Sequence, residues 1–356
     1  MDMIFELIQV AFGYRQQLSR QLSSEEWRGL YEQAGKQAVV GTVFDGVQKL
    51  PKEQWPPQSV KFEWIGQTEQ IKQQNRKVNA VLKELALLFN ANGVRYAIVK
   101  GQIVGNYYSD PLLRQAGDVD YYVEEQDFER AKQLIESTWG VAFEETEGHH
   151  HVEFEYKGVL FEQHHTLIKL YDKEKNEYWE RLMKETFKSM EIESVPVSVL
   201  SPTLHSLYIF LHLYHHLLEL GVGLRQFCDW AAILHACKNE IDHDAIRKHL
   251  KILGLERAYC ACGGIIIDYL GLPEDEFTYE LVSSDKRYTM RILDVVMYRG
   301  NMGHYNLKGG HQGLWHNLEA TGIKIIHFLK FMPLAPAFSW NWLVAELKRK
   351  ITRKLK

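Results

Sequence analysis

YAIVKGQIVGNYYSDPLLRQAGDVDYYV, running from Tyr96 to Val123, joins an apolar strand, a Lys-Gly turn and a second strand that carries two aspartates in alternation. Side chains alternate between faces along a strand, so Asp118 and Asp120 project one way while Val119 and Tyr121 project the other. Two carboxylates projecting together make a hard, oxygen-rich site suited to Mg²⁺ and the nucleotide phosphates it carries. Upstream, Tyr96 to Val99 reads as a buried strand ending at Lys100 and Gly101, where a residue without Cβ lets backbone amides approach phosphate oxygens. Lys100 and Arg114 are placed to neutralise the same phosphates. The plainer alternatives are a solvated Lys100 and an ion pair of Arg114 with Asp110 or Asp118.

Farther along, His151 to Tyr156 alternates in the manner of a strand, Lys157-Gly158 reads as a tight turn, and Val159 to Leu167 forms the returning strand of a hairpin. Glu162 and His164 share one face of that return. A carboxylate near metals can ligate one of them or take the proton from a hydroxyl, and His164 can hydrogen-bond a phosphate or orient Glu162. Glu153 and Glu155 are the rival carboxylates. The histidine-rich strings lack the spacing of a zinc site. Adjacent His164 and His165 face opposite ways, and the triplet His149-His150-His151 reads as a strand start after a loop. His212, His215 and His216 lie on a helix without the glutamate of a metalloprotease motif.

The arrangement Lys100-Gly101, Tyr108, Asp110-Pro111, Arg114, Gly117-Asp118 and Asp120 resembles the uncharacterised nucleotidyltransferase family of the polymerase beta-like nucleotidyltransferase superfamily. It departs from many superfamily members at the turn, where Lys-Gly followed by Gln102 replaces Gly-Gly or Gly-Ser, and in a long insertion before the aspartates. The resemblance implies an α/β (α+β) fold with a small mixed-sheet core. It also implies Mg²⁺ held by Asp118 and Asp120, with a third carboxylate from a later strand; the family's acidic-x-His pattern is matched by Glu162-Gln163-His164. The activity implied is transfer of a nucleotidyl group from a nucleoside triphosphate, ATP being the expected one, to an acceptor hydroxyl on a small molecule, peptide or protein, with pyrophosphate leaving. Lys100, Gly101, Arg114 and His164 would bind the nucleotide. Phosphoryl transfer on the same scaffold and a non-catalytic nucleotide-binding protein are the alternatives.

Within His212 to Leu234, Arg225 and Asp229 are four residues apart on one helical face, which permits an intrahelical ion pair. The resemblance places this helix beside the nucleotide, with Arg225 on a phosphate and Asp229 holding its guanidinium. An ion pair that only stabilises the helix is the alternative. Tyr208, Tyr214 and Trp230 read as core.

At 356 residues, with 46% hydrophobic and 25% charged content, the chain is long enough to bury a substantial core. A formal net charge of -4 argues against nucleic acid as a partner. Cys228, Cys237, Cys260 and Cys262 form no Cys-x-x-Cys pair and read as the reduced thiols of a cytoplasmic protein. The opening MDMIFELIQVAFGYR has Asp2 and Glu6 where a signal peptide needs positive charge, and reads as an amphipathic helix.

Three regions are expected: helical over 1–85, the α/β core over 86–200, and helical again over 201–356. Ser23-Ser24-Glu25-Glu26 starts a helix, and Pro51, Pro56 and Pro57 interrupt the first region. A long helix from about Val60 to Asn92 carries Ile71, Val78, Leu82, Leu85 and Phe89 at helical spacing and stops at Gly93; another runs from Glu125 to Ser137. Tyr305 to Gly313 is a glycine-rich lid or loop without the Lys-Ser/Thr ending of a P-loop. The segment from Phe338 to Lys356 mixes Trp340, Trp342 and Leu343 with Lys348, Arg349, Lys350, Arg353, Lys354 and Lys356. That composition suits weak peripheral contact with an anionic membrane surface, a solvated terminal helix being the plainer outcome.

Overall fold

A computed structural model describes residues 2–145, 151–184, 187–219, 221–303, 305–306 and 314–355, with the backbone alone for 145, 302, 314–318 and 346–355. The first four helices are α1 (Met3–Ala11), α2 (Ser24–Lys36), α3 (Val40–Lys49) and α4 (Gln58–Asn92). α2 begins where expected: Ser23 and Glu26 form a reciprocal capping box. α4 ends at Gly93, whose φ of 63° is the left-handed conformation that a glycine adopts without strain. α1 departs from its expected amphipathic character, because Ile4, Phe5, Leu7, Ile8 and Val10 are all buried and even Glu6 is enclosed. Glu6 is tolerated there because its carboxylate accepts bonds from the Ser19 backbone N–H at 2.7 Å and hydroxyl at 2.8 Å.

The middle of the chain runs β1 (Tyr96–Val99), α5 (Gly101–Gly105), β2 (Val119–Val123), α6 (Glu125–Trp139), β3 (Glu144–Glu145), β4 (His151–Tyr156), β5 (Val159–His164), α7 (Lys173–Met183), β6 (Lys188–Ile192) and β7 (Val195–Val199). Among the described residues these strands form one mixed seven-stranded sheet, ordered β3-β4-β5-β2-β1-β7-β6. β2 runs antiparallel to β1 and parallel to β5. Lys157 and Gly158, both at positive φ, turn the β4–β5 hairpin. One sheet face, with Ile98, Tyr121 and Phe161, packs on the second half of α4 and on α6. Ala97, Val99 and Tyr122 on the other face join the large helical core.

The rest is helical: α8 (Pro202–Leu218), α9 (Leu224–Ala236), α10 (His243–Leu253), α11 (Glu256–Asp268), α12 (Ser283–Arg299), α13 (Leu314–Phe331) and α14 (Pro336–Leu355). The stretch from His212 to Leu234, expected as one helix, is two. Gly221 at φ 138° breaks it, and Gly223 lies so close to Asn301 that an added Cβ would come within 2.8 Å of its Cα. Residues of α1 to α4 share one apolar core with those of α8 to α12, so the helical flanks pack together over one face of the sheet.

Two contacts fix the loop between α5 and β2. Asn75 of α4 donates to the carbonyls of Leu112 and Arg114, both at 2.8 Å. Gly41 of α3 presses on the same loop, where a Cβ would stand 1.9 Å from the Leu113 carbonyl oxygen. No helix among the described residues is long and apolar enough to cross a membrane. Of the glycine-rich segment, only Tyr305 and Asn306 are described, and the basic side chains from Lys348 to Lys356 lie outside the described residues.

Candidate functional site

β2 and β5 bring the carboxylates together by register, since Asp120 stands directly opposite Glu162 in the parallel pairing. Asp118 lies one alternation earlier, just before β2. One oxygen from each of Asp118, Asp120 and Glu162 falls within 4.8 Å of the others. Of the rival carboxylates, Glu155 is exposed and Glu153 is engaged by His151 at 2.9 Å. His164 on β5 lies between two members of the cluster, with Nε2 at 3.1 Å from Asp120 Oδ1 and 3.2 Å from Glu162 Oε2.

Lys100 faces the cluster from the end of β1, its ammonium 2.7 Å from Asp120 Oδ1. Its backbone has φ 55° and ψ -149°, a region nearly reserved for glycine that costs on the order of 1–3 kcal/mol. Gly101 follows at φ 46°. The turn therefore curls into α5, with the Lys100 ammonium directed to a carboxylate.

The charges set one another. Asp118 is pushed up to about 6, first by the Asp120 charge beside it and then by burial. Burial pushes Asp120 upward too, but the Lys100 ammonium and the His164 bond outweigh it and hold this carboxyl below its ordinary range. The partners agree in direction. Lys100 and His164 are raised despite burial, Lys100 by the Asp120 charge and His164 by its bonds to Asp120 and Glu162.

α8 supplies a histidine wall that sequence reading set aside. His212 Nε2 lies 3.1 Å from the Lys100 ammonium, and His216 Nε2 lies 3.2 Å from His212 Nε2. The Lys100 backbone N–H donates to His205 Nε2 at 3.4 Å. Burial drives the pKa of His212 well below normal, helped by the neighbouring Lys100 charge, and brings His216 down to about 4. The wall is therefore neutral imidazole at pH 7, able to accept from Lys100 without competing for Asp120. The spacing from His212 to His216 marks a shared helical face; its partner Lys100 is visible only once β1 is docked against α8.

Arg114 and Arg225 depart from their expected partners. Arg114 pairs with neither Asp110 nor Asp118; it donates Nε and Nη2 to the two oxygens of Asp229, both at 2.7 Å. Tyr108 donates its hydroxyl to the same carboxylate at 2.7 Å, whereas Asp110 is taken by Lys72 at 2.8 Å. Asp229 thus holds Arg114 and not Arg225, because the two-pronged geometry from the α5–β2 loop suits a guanidinium better than a neighbour on its own helix. Arg225 instead donates to the Gln115 carbonyl at 3.1 Å. Burial, followed by the Arg114 charge, lowers its pKa. Arg114 Nη1 and Arg225 Nε are buried donors without a hydrogen-bond partner.

These groups line a cavity of ≈ 360 Å³, with the carboxylates and the two arginines on its walls together with Tyr208, His151 and Trp342. Trp342, expected as part of an interfacial tail, is buried here, whereas Trp340 is exposed. The donor set of Asp118, Asp120 and Glu162 is all oxygen, and the buried guanidinium donors beside it fit an anionic ligand.

The sequence matches the profile of a family described as uncharacterised nucleotidyltransferase over residues 23–271. No curated protein is matched. Among solved structures, the chain is similar to an antigenic nucleotidyltransferase-like protein from Paracoccidioides brasiliensis, at 14% identity over 59% of this chain and 96% of that one, with a TM-score of 0.35. A likeness that distant transfers no residue. The family profile spans more than half of the sequence, and the chain belongs to the uncharacterised nucleotidyltransferase family.

Proposed function

We propose that this protein is a divalent-metal-dependent nucleotidyltransferase that moves a nucleotidyl group from a nucleoside triphosphate, ATP in the first instance, to the hydroxyl of a small-molecule, peptide or protein acceptor. The observation that carries the reading is three carboxylates within 4.8 Å of one another, in the same cavity as two buried guanidinium groups that retain unpartnered donors. Lys100 and His164 offset part of the charge on Asp120 and Glu162, the repulsion that remains at Asp118 suits a cation, and orphaned N–H donors suit an anion. A metal nucleotide answers both.

Asp118, Asp120 and Glu162 would hold Mg²⁺, which when bound offsets charge on the triphosphate and on the leaving pyrophosphate. Arg114 Nη1 and Arg225 Nε would donate to phosphate oxygens, with Asp229 fixing the Arg114 plane. Gly101, on the cavity wall and without a Cβ, would let a phosphate approach its backbone, and Lys100, paired with Asp120, would offset phosphate charge. In the transfer the acceptor oxygen bonds the α-phosphorus while the α–β bridging oxygen departs with pyrophosphate. The acceptor proton passes to Glu162 or to solvent, and His164 orients Glu162.

Incubating the protein with Mg²⁺ and each triphosphate against pools of acceptors, followed by intact-mass analysis, tests the reading. A nucleotidyl mass increment with pyrophosphate release is the expected product. An increment of one phosphate group would mark a phosphotransferase, and no product with any triphosphate would leave a binding protein.

Metal affinity is expected to depend on pH in a defined direction. Asp118 must lose its proton to ligate, and its pKa lies at about 6. Mg²⁺ affinity measured by calorimetry should therefore rise by about fivefold from pH 5 to 6 and level off above 7. Constant affinity over that range would mean that Asp118 does not ligate or that its pKa is not raised.

A further inference from the structure

The β4–β5 hairpin carries a second group of ligating atoms, formed across the strands and not along them. Its antiparallel register sets His151 opposite His164 and Glu153 opposite Glu162. Because alternation is in steps of two, all four side chains emerge on one face. Phe154 and Phe161, opposite each other on the reverse face, stack in the core with ring centroids 4.9 Å apart, which fixes that register. The rings of His151 and His164 lie 4.9 Å apart, and one ligand atom from each of His151, Glu162 and His164 falls within 4.8 Å of the others. Glu162 belongs both to this group and to the aspartate group.

We infer that His151, Glu162 and His164 form a second metal site, one that takes a transition metal such as Mn²⁺ or Zn²⁺, with Glu162 bridging it to the cation at Asp118 and Asp120. The bridging part rests on the reading of the aspartates as metal ligands; the hairpin site does not. The donor chemistry separates the two positions. Three carboxylates favour a hard cation, whereas two imidazoles and one carboxylate favour a borderline transition metal.

Glu153 supplies the support such a site needs. Its carboxylate, 2.9 Å from His151 Nε2, can orient that imidazole for ligation. The arrangement also changes what Glu162 can do, because a bridging carboxylate has both oxygens committed to cations. It is then a ligand and not the acceptor's base. Cations held at both positions would offset charge on the oxygens of a displacement at phosphorus.

Co²⁺ is the probe, titrated into the full chain without nucleotide while calorimetry counts equivalents and visible spectra report nitrogen ligation. Wild type should bind two equivalents and develop visible ligand-field absorption. His151→Ala should lose one equivalent together with that absorption, whereas Asp118→Asn should lose one equivalent and keep it. Circular dichroism checks the fold of each. Should His151→Ala fail to fold, His151→Cys decides the matter, since a cysteine ligand should restore the bound Co²⁺ and add a thiolate charge-transfer band in the near ultraviolet.

Absorption that survives His151→Ala unchanged, a His151→Cys variant without the charge-transfer band, or a folded wild type that takes one equivalent without visible absorption would each overturn the hairpin site. If Asp118→Asn instead retains two equivalents and full triphosphate turnover while the hairpin absorption behaves as expected, the aspartate reading and the bridge fall and the hairpin site stands.

Discussion

Asp118→Asn and Asp120→Asn are each expected to lower Mg²⁺-dependent triphosphate turnover by at least about a thousandfold, equivalent to about 4 kcal/mol in the barrier. An amide keeps the shape of the carboxylate but neither its charge nor its strength as a cation ligand. The two variants should differ in stability, in a direction the local charges determine. Asp118 is an acid with a raised pKa, so its ionised form is disfavoured in the fold at neutral pH. Replacing it removes repulsion with Asp120 and should leave the thermal midpoint unchanged or higher. Asp120 has a lowered pKa because Lys100 and His164 stabilise its charge. Its replacement removes the carboxylate 2.7 Å from the Lys100 ammonium and the one bonded by His164, and should lower the midpoint. Scanning calorimetry beside a turnover assay measures both effects. Wild-type turnover in either variant would sink the two-aspartate site; loss of turnover with an identical midpoint change in both would show that the charge assignment is wrong.

The carboxylate core was legible because it is local. Period-two alternation put Asp118 and Asp120 on one side, and the Lys157-Gly158 turn fixed the hairpin that presents Glu162. α4 was legible for the same kind of reason, with apolar spacing over its length and glycine at its end. The β6–β7 hairpin was not anticipated. Its turn uses Glu193 and Ser194 at positive φ without the usual Asn or Gly, and Pro196 argues against a strand. Pro196 is tolerated because β7 meets β1 only at the register of Ile98 with Val199, so its missing N–H is not required there.

The arginine partners were illegible for a different reason. Arg225 and Asp229 satisfy the helical spacing rule, yet Asp229 answers to Arg114, separated from it by 115 positions in the chain. Spacing rules rank neighbours on one element and say nothing about a side chain arriving from another. The meeting of His212 with Lys100 and of Trp342 with the cavity has the same origin. Each depends on how elements dock.

Asp229→Ala is expected to be the most destabilising single change near the site, by about 3–5 kcal/mol. The side chain that disappears accepts two bonds from Arg114 and one from Tyr108, and all three groups are buried. Removal leaves a guanidinium with its desolvation uncompensated and a hydroxyl without an acceptor. Set against a typical total of about 5–15 kcal/mol, that loss makes the fold marginal. Urea denaturation reads it as a lower midpoint at constant slope. The double variant Arg114→Met with Asp229→Leu separates structure from function, since replacing a buried pair by apolar groups of similar volume is often close to neutral. It should recover most of the midpoint while triphosphate affinity stays low, because the cavity has lost the Arg114 donor. A single variant that loses less than about 1 kcal/mol would mean that Arg114 is not held by Asp229 in solution. A stable double variant with unchanged triphosphate affinity would confine Arg114 to the fold and leave Arg225 as the cation that meets the phosphate.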